Sequence, residues 1–395
     1  MKFNKWTLGL AAVGVVSLAS AAKADEKLSV VQTALSSTTI SGYVDTSINW
    51  NIGTGTGTAF YGYGGVAKAD GFNLNVVELS ISKPLDESEW ASGYKVDLWM
   101  GPDAVTLGTQ TASGDLAIKQ AYVALRTPVG NGIDWKIGVY DTIIGYESSS
   151  SPNNPNFTRS YGYSIEPTTH TGLLGTYRVC EEVSFSAGIA NTFGPVINAR
   201  AHPPGGPKAE SYKTYMASVA LTAPSDWGWA AGSTLYAGFI NGFNAAPAGL
   251  TALNTPANQG SYYAGATVAT PVTGLKFGVA FDYLDSYVSS SPGAVGVANS
   301  DVWAAGIYAS YQATEKLSLH ARGELATRLD GVLGLDNSQL WAATATVQYD
   351  LWQNVISRLE IRWDHGDEAT YFSGSAGAAT QRNSVLVAAN IVYKF

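Results

Sequence analysis

Residues 384–395 read S-V-L-V-A-A-N-I-V-Y-K-F and end on an aromatic side chain. Side chains of an extended strand alternate between faces, so Val385, Val387, Ala389, Ile391, Tyr393 and Phe395 share one face. Ser384, Asn390 and Lys394 fall on the other with small and aliphatic residues. A chain terminus is ordinarily frayed and polar. An apolar-faced terminal strand suits a sheet closed in lipid, where the last strand must pair with the first and leave no edge.

The opposite end carries an address. Lys2 and Lys5 precede an apolar run over residues 8–22, and Ala22-Lys23-Ala24 has the small-x-small form of a processing site. Residues 1–24 therefore read as a signal peptide cleaved on export, and 25–38 as a short extension of weak helical pattern. Loss of Lys2, Lys5 and Lys23 takes the formal charge from −8 to −11, which argues against a nucleic-acid partner, since phosphate binding needs a basic surface. Beyond the leader no stretch approaches the roughly 20 apolar residues of a membrane helix, so any crossing uses strands. The single Cys180 rules out an intrachain disulfide. Counts of 43 Gly, 22 Tyr and 11 Trp point the same way, because aromatics collect at membrane interfaces and Gly at bends.

Sixteen strands of about ten residues are expected, starting near residues 39, 72, 93, 116, 133, 169, 183, 212, 229, 260, 274, 301, 315, 339, 354 and 383. Their joints alternate. Tight ones occur at Val129-Gly130-Asn131-Gly132, Glu181-Glu182, Ser225-Asp226 and Pro271-Val272-Thr273, and long ones over 51–71, 101–114, 142–168, 192–211 and onward to 365–382. Tight turns at one end and long loops at the other are the pattern of an all-β, antiparallel transmembrane barrel spanning residues 39–395.

A soluble sheet also alternates, with its apolar side turned to a core; aromatic placement separates the two. Trp303 and Tyr311 lie on one apolar face, Trp341 and Tyr349 on another, each pair eight residues apart. Eight residues on a tilted strand rise about 20 Å, close to an apolar band of roughly 25 Å rimmed by aromatic girdles.

T-I-S-G-Y-V-D-T-S at 39–47, I-K-Q-A-Y-V at 118–123, N-F-T-R-S-Y-G-Y-S-I-E-P at 156–167 and the terminal I-V-Y-K-F together resemble the OmpL-like outer-membrane β-barrel porins over essentially the whole mature chain. The resemblance implies a passive channel in the bacterial outer membrane, in contact with lipid, ions and small polar solutes. It brings no cofactor and no set of functional residues. A homotrimer is the expected assembly. In sixteen-stranded porins the third external loop folds inward, so residues 142–168, with Glu147, Arg159, Glu166, three prolines and four aromatics, are expected to form a constriction loop.

Alternation turns Lys95, Asp97 and Trp99 inward on one strand, Gln120, Tyr122 and Arg126 on the next, and Arg178 further on; His320, Arg322, Glu324, Arg358, Glu360 and Arg362 follow on two late strands. Read as pore-lining groups, the arginines would face the loop carboxylates and set ion preference. Read otherwise, both signs of charge pair across strands and fill the wall. The histidines His170, His202, His320 and His365 are scattered without a partnered nucleophile, so neither a catalytic set nor a metal site is expected. Two other functions stay open: a sugar-type channel using Trp99 and the loop tyrosines as stacking surfaces, and a non-conducting barrel serving as adhesin or envelope anchor.

Overall fold

A computed structural model describes residues 37–52, 70–106, 115–201, 211–243, 258–287, 300–327, 339–367, 372–373 and 379–395. The expected signal peptide and His202 lie outside them, as does the expected 25–38 extension but for its last two residues. Sixteen strands form the wall. The first eight are β1 (Thr39–Ile52), β2 (Gly71–Lys83), β3 (Ser92–Met100), β4 (Leu116–Thr127), β5 (Ile133–Asp141), β6 (Thr169–Arg178), β7 (Val183–Ala190) and β8 (Thr214–Thr222). Then come β9 (Thr234–Phe243), β10 (Asn258–Ala269), β11 (Leu275–Tyr287), β12 (Ser300–Gln312), β13 (Leu317–Thr327), β14 (Gln339–Trp352) and β15 (Val355–Gly366). A hairpin of β16 (Phe372–Ser373) and β17 (Ala379–Gln381) precedes the closing strand β18 (Asn383–Lys394). Each wall strand pairs antiparallel with its neighbours, and β18 bonds both β15 and β1 to close the barrel.

The apolar faces read from sequence point outward. Ile307, Leu359 and Ile361 are 66, 57 and 51% exposed, and Trp341, Tyr349 and Tyr393 are exposed near strand ends. Val302, Ala304, Tyr308, Leu386, Ala388 and Val392 of the opposite parity are buried inside. An outside of aliphatics rimmed by aromatics, around a filled and partly polar inside, is the arrangement a bilayer selects.

The ninth strand departs from expectation. It starts at Thr234 rather than near 229, because 223–233 holds a longer turn with a 3-10 segment at Gly228–Ala230. Trp227 and Trp229 stand exposed in that turn, placed as anchors at the short-turn rim, the periplasmic end in barrels of this kind.

Closure is built by the final residue. Phe395 N donates to Gly42 O and Gly42 N to Phe395 O, both at 3.0 Å. Its ring lies so close to Gly42 that a Cβ there would sit 2.8 Å from the ring and collide with the Glu78 carbonyl. Deleting Phe395 removes two seam hydrogen bonds and the ring at once. The expected result is secretion without assembly: little of the folded, heat-modifiable form in outer-membrane fractions, where unchanged levels would count against the role given to the seam.

Two bulges re-aim side chains. Between β3 and β4 the register passes from Asp97↔Gln120 to Leu98↔Ile118, leaving Lys119 as the extra residue. Leu116 and Ile118 before it and Val123 and Leu125 after it all face out, so the parity of β4 flips and Lys119 is buried inside beside Gln120. Between β1 and β2 the extra residue is Asn75, whose Nδ2 donates to Asp45 and whose Oδ1 accepts from Ser47.

Candidate functional site

Residues 142–168, the third connection on the long-loop side, are folded into the barrel. The loop neck is closed where Thr142 N donates to Thr168 O at 3.0 Å. On one side Ile143, Ile144 and Tyr146 pack with Leu174, Met216, Tyr236, Ile240, Tyr263 and Tyr308 of the inner wall, and Tyr146 stacks on Tyr308 with ring centroids 4.0 Å apart. The Tyr236 hydroxyl donates to the Ile143 carbonyl. These aromatics explain why the segment carries a load that an exposed loop would not need.

The tip crosses to the wall formed by β13–β15. Ser160 caps a short helix, Tyr161–Ile165, its Oγ accepting from Tyr163 N at 3.1 Å, and this turn presents successive backbone N–H groups to wall carboxylates. Glu360 of β15 accepts from Phe157 N (2.6 Å), Thr158 N (3.0 Å), Thr158 Oγ1 (2.6 Å) and Thr346 Oγ1 (2.8 Å). Glu324 of β13 accepts from Tyr161 N at 2.6 Å, and Asp364 from the Tyr161 hydroxyl at 2.6 Å. Arg322 reaches back from β13: Nη1 donates to Glu147 Oε1 (2.7 Å) and Thr158 O (2.9 Å), and Nε to Glu324 Oε2 (2.7 Å). Arg362 holds Asp364 and donates to Arg159 O at 2.8 Å, its guanidinium 5.0 Å from the Tyr161 ring centre. Arg358 donates to Asn154 O (2.8 Å) and Ser151 O (3.2 Å).

The expectation of a bank of arginines open to the pore is therefore corrected. Arg322, Arg358 and Arg362 are 2, 3 and 0% exposed, and Glu324 and Glu360 are buried with them. Arg159, expected to face the constriction, is itself buried, donating to Phe157 O and Ser149 O at 2.8 Å. The four arginines Arg159, Arg322, Arg358 and Arg362 are matched by four carboxylates, Glu147, Glu324, Glu360 and Asp364. Such a balanced cluster positions a segment and contributes little field. Within the loop, Glu147 also accepts from Ser160 N at 2.8 Å. Glu166 shares a hydrogen bond with Asp282 of β11, and burial together with that like charge raises its carboxyl above the usual carboxylate range. Gly145 passes Glu166 with φ +114°, a backbone angle that favours glycine. His320 is half-buried and pairs with Ser310 Oγ at 2.9 Å.

The remaining expected lining groups lie on the opposite, early strands. Asp97 accepts from Lys95 (2.9 Å), Ser80 (2.6 Å) and Gln120 (2.8 Å). Trp99 is fully buried, its Nε1 donating to Glu78 at 2.7 Å and Lys119 lying 5.6 Å from its ring centre. Arg126 pairs in a fork with Asp134, Nε to Oδ1 at 2.6 Å and Nη2 to Oδ2 at 2.8 Å. Lys95, Arg126 and Arg178 border a cavity of about 420 Å³ at the short-turn end, together with Tyr122 and Lys136. Sequence reading missed Lys119 and Lys136. The apolar spacing I118–A121, three instead of two, was the available sign of the bulge that turns Lys119 inward.

The fold is that of the anion-selective porin from Comamonas acidovorans (TM-score 0.60, 12% identity, 91% of this chain and 99% of that one). It is also that of OmpT of Vibrio cholerae (TM-score 0.57, 12% identity, 93% and 100%) and of the outer membrane channel DcaP of Acinetobacter baumannii (TM-score 0.55, 14% identity, 91% and 97%). No curated protein matches in sequence. A family profile, however, matches residues 37–395, and the chain belongs to the putative beta-barrel porin-2, OmpL-like family.

Proposed function

We propose that the protein is a passive aqueous channel for ions and small polar solutes, assembled as a homotrimer and exported after removal of residues 1–24. The observation that carries this reading is the inward loop 142–168, whose tip is held across the lumen by Glu360, Arg322 and Arg362. A sixteen-stranded barrel encloses a water-filled bore, and a loop docked within it sets the size of what passes. An envelope anchor has no use for a shaped interior. A trimer form of OmpT of Vibrio cholerae, a protein of the same fold, supports the assembly.

The sugar-channel reading loses its stacking surfaces, because Trp99, Tyr146, Tyr161 and Tyr163 are all buried against protein. Liposomes carrying the purified protein are expected to swell at rates that fall smoothly with solute size and rise linearly with concentration. Saturating uptake of one sugar would instead mark a selective channel, and no swelling with any solute a closed barrel.

A further inference from the structure

We infer that the periplasmic vestibule holds a binding subsite for small oxyanions of two negative charges, built on Lys136 and Arg178; this rests on the channel function proposed above. The cavity of about 420 Å³ is bordered by β2–β6, and both cations line it. Carboxylates of the surrounding wall are already engaged. Asp134 is held in a fork by Arg126, Asp97 accepts from Lys95, Ser80 and Gln120, and Asp141 pairs with Lys119. Among the described residues the side chains of Lys136 and Arg178 form no ion pair. Lys83, which also lines the cavity, likewise forms none among the described residues.

The Lys136 ammonium and the Arg178 backbone are both held in place. Lys136 Nζ lies 5.2 Å from the centre of the Tyr122 ring, and Tyr122 stands opposite Lys95 in the β3–β4 register. Arg178 ends β6 at a turn pinned by Asn131, whose Nδ2 donates to Arg178 O (3.1 Å) and Val179 O (2.7 Å). Between them on the same face lies Thr176, its hydroxyl paired at 2.9 Å with that of Ser186. A half-buried cation outside any ion pair loses hydration, and an anion shared between two that line one cavity relieves that cost for both. Divalent charge fits two cations better than monovalent charge. The site must bind weakly, because a conducting pathway has to release what it captures.

The test is block of chloride current in planar bilayers by phosphate, succinate or acetate, at matched ionic strength and added to both compartments. Phosphate or succinate is expected to reduce the current saturably and acetate to leave it unchanged; whichever dianion acts at lower concentration identifies the headgroup chemistry. In Lys136→Gln with Arg178→Gln the half-blocking concentration should rise roughly tenfold, as two charge-assisted contacts are lost, while Lys316→Gln in an exposed turn should not change it. If the double variant assembles poorly, each single substitution is expected to give about a threefold rise. Normal current in the unmodified protein without dianion block, or block unaltered by the substitutions, overturns the inference. Absence of any current in the unmodified protein overturns the channel reading and the subsite with it.

Discussion

Arg322→Ala is expected to release loop 142–168 from the wall and widen the pore. The substitution removes a fully buried guanidinium that joins Glu147 of the loop to Glu324 of β13 and also donates to Thr158 O. Two carboxylates would then be buried close together with one cation fewer, a change worth about 3 to 5 kcal/mol when one partner of a buried pair is removed. The barrel wall, whose ladders are untouched, should persist. The cost therefore falls on loop docking, which opens before the wall does. Larger and noisier single-channel steps are predicted, with the folded barrel still heat-modifiable. Steps of unaltered size in a folded variant would show that the loop is held by its apolar face alone.

Ile361→Lys is expected to destabilise the barrel by roughly 2 to 4 kcal/mol if the position lies near the bilayer midplane, because the ammonium would sit in hydrocarbon. Thr176→Lys on the vestibule wall makes the proper contrast, since that face borders the cavity. The neighbour Glu360 does not serve: alternation alone would place it in water, yet it is 1% exposed and accepts four hydrogen bonds. Urea titrations of the two variants and the unmodified protein in lipid vesicles read the difference. Equal losses for Ile361→Lys and Thr176→Lys would contradict the assignment of faces.

Strand positions were legible because a lipid-facing strand announces itself locally, through alternation and turn residues at its ends. The one large displacement, at β9, has a local cause as well. Trp227 and Trp229 are two apart and mimic alternation, but they belong to a turn with exposed indoles. Lys119 was hidden for the reverse reason, since a single bulged residue breaks the alternation used to assign it.

The candidate site was legible only by half. Periodicity tells which side of the wall a residue faces, and Arg322, Arg358, Glu360 and Arg362 do face inward. What meets them there depends on chain 203 positions away in the case of Phe157 N and Glu360, and no spacing rule reaches that far. The same residues therefore pass from expected selectivity groups to anchors of the loop. Under the inference of a vestibule subsite, ion preference would be set on the early strands, where Lys136 and Arg178 line the cavity.

Single-channel recording of the purified protein in a planar bilayer tests the central claim most directly. A water-filled barrel narrowed by a docked loop predicts discrete, ohmic current steps in potassium chloride, uniform in size and proportional to salt concentration. A reconstituted, heat-modifiable barrel that passes no current at any voltage would contradict it.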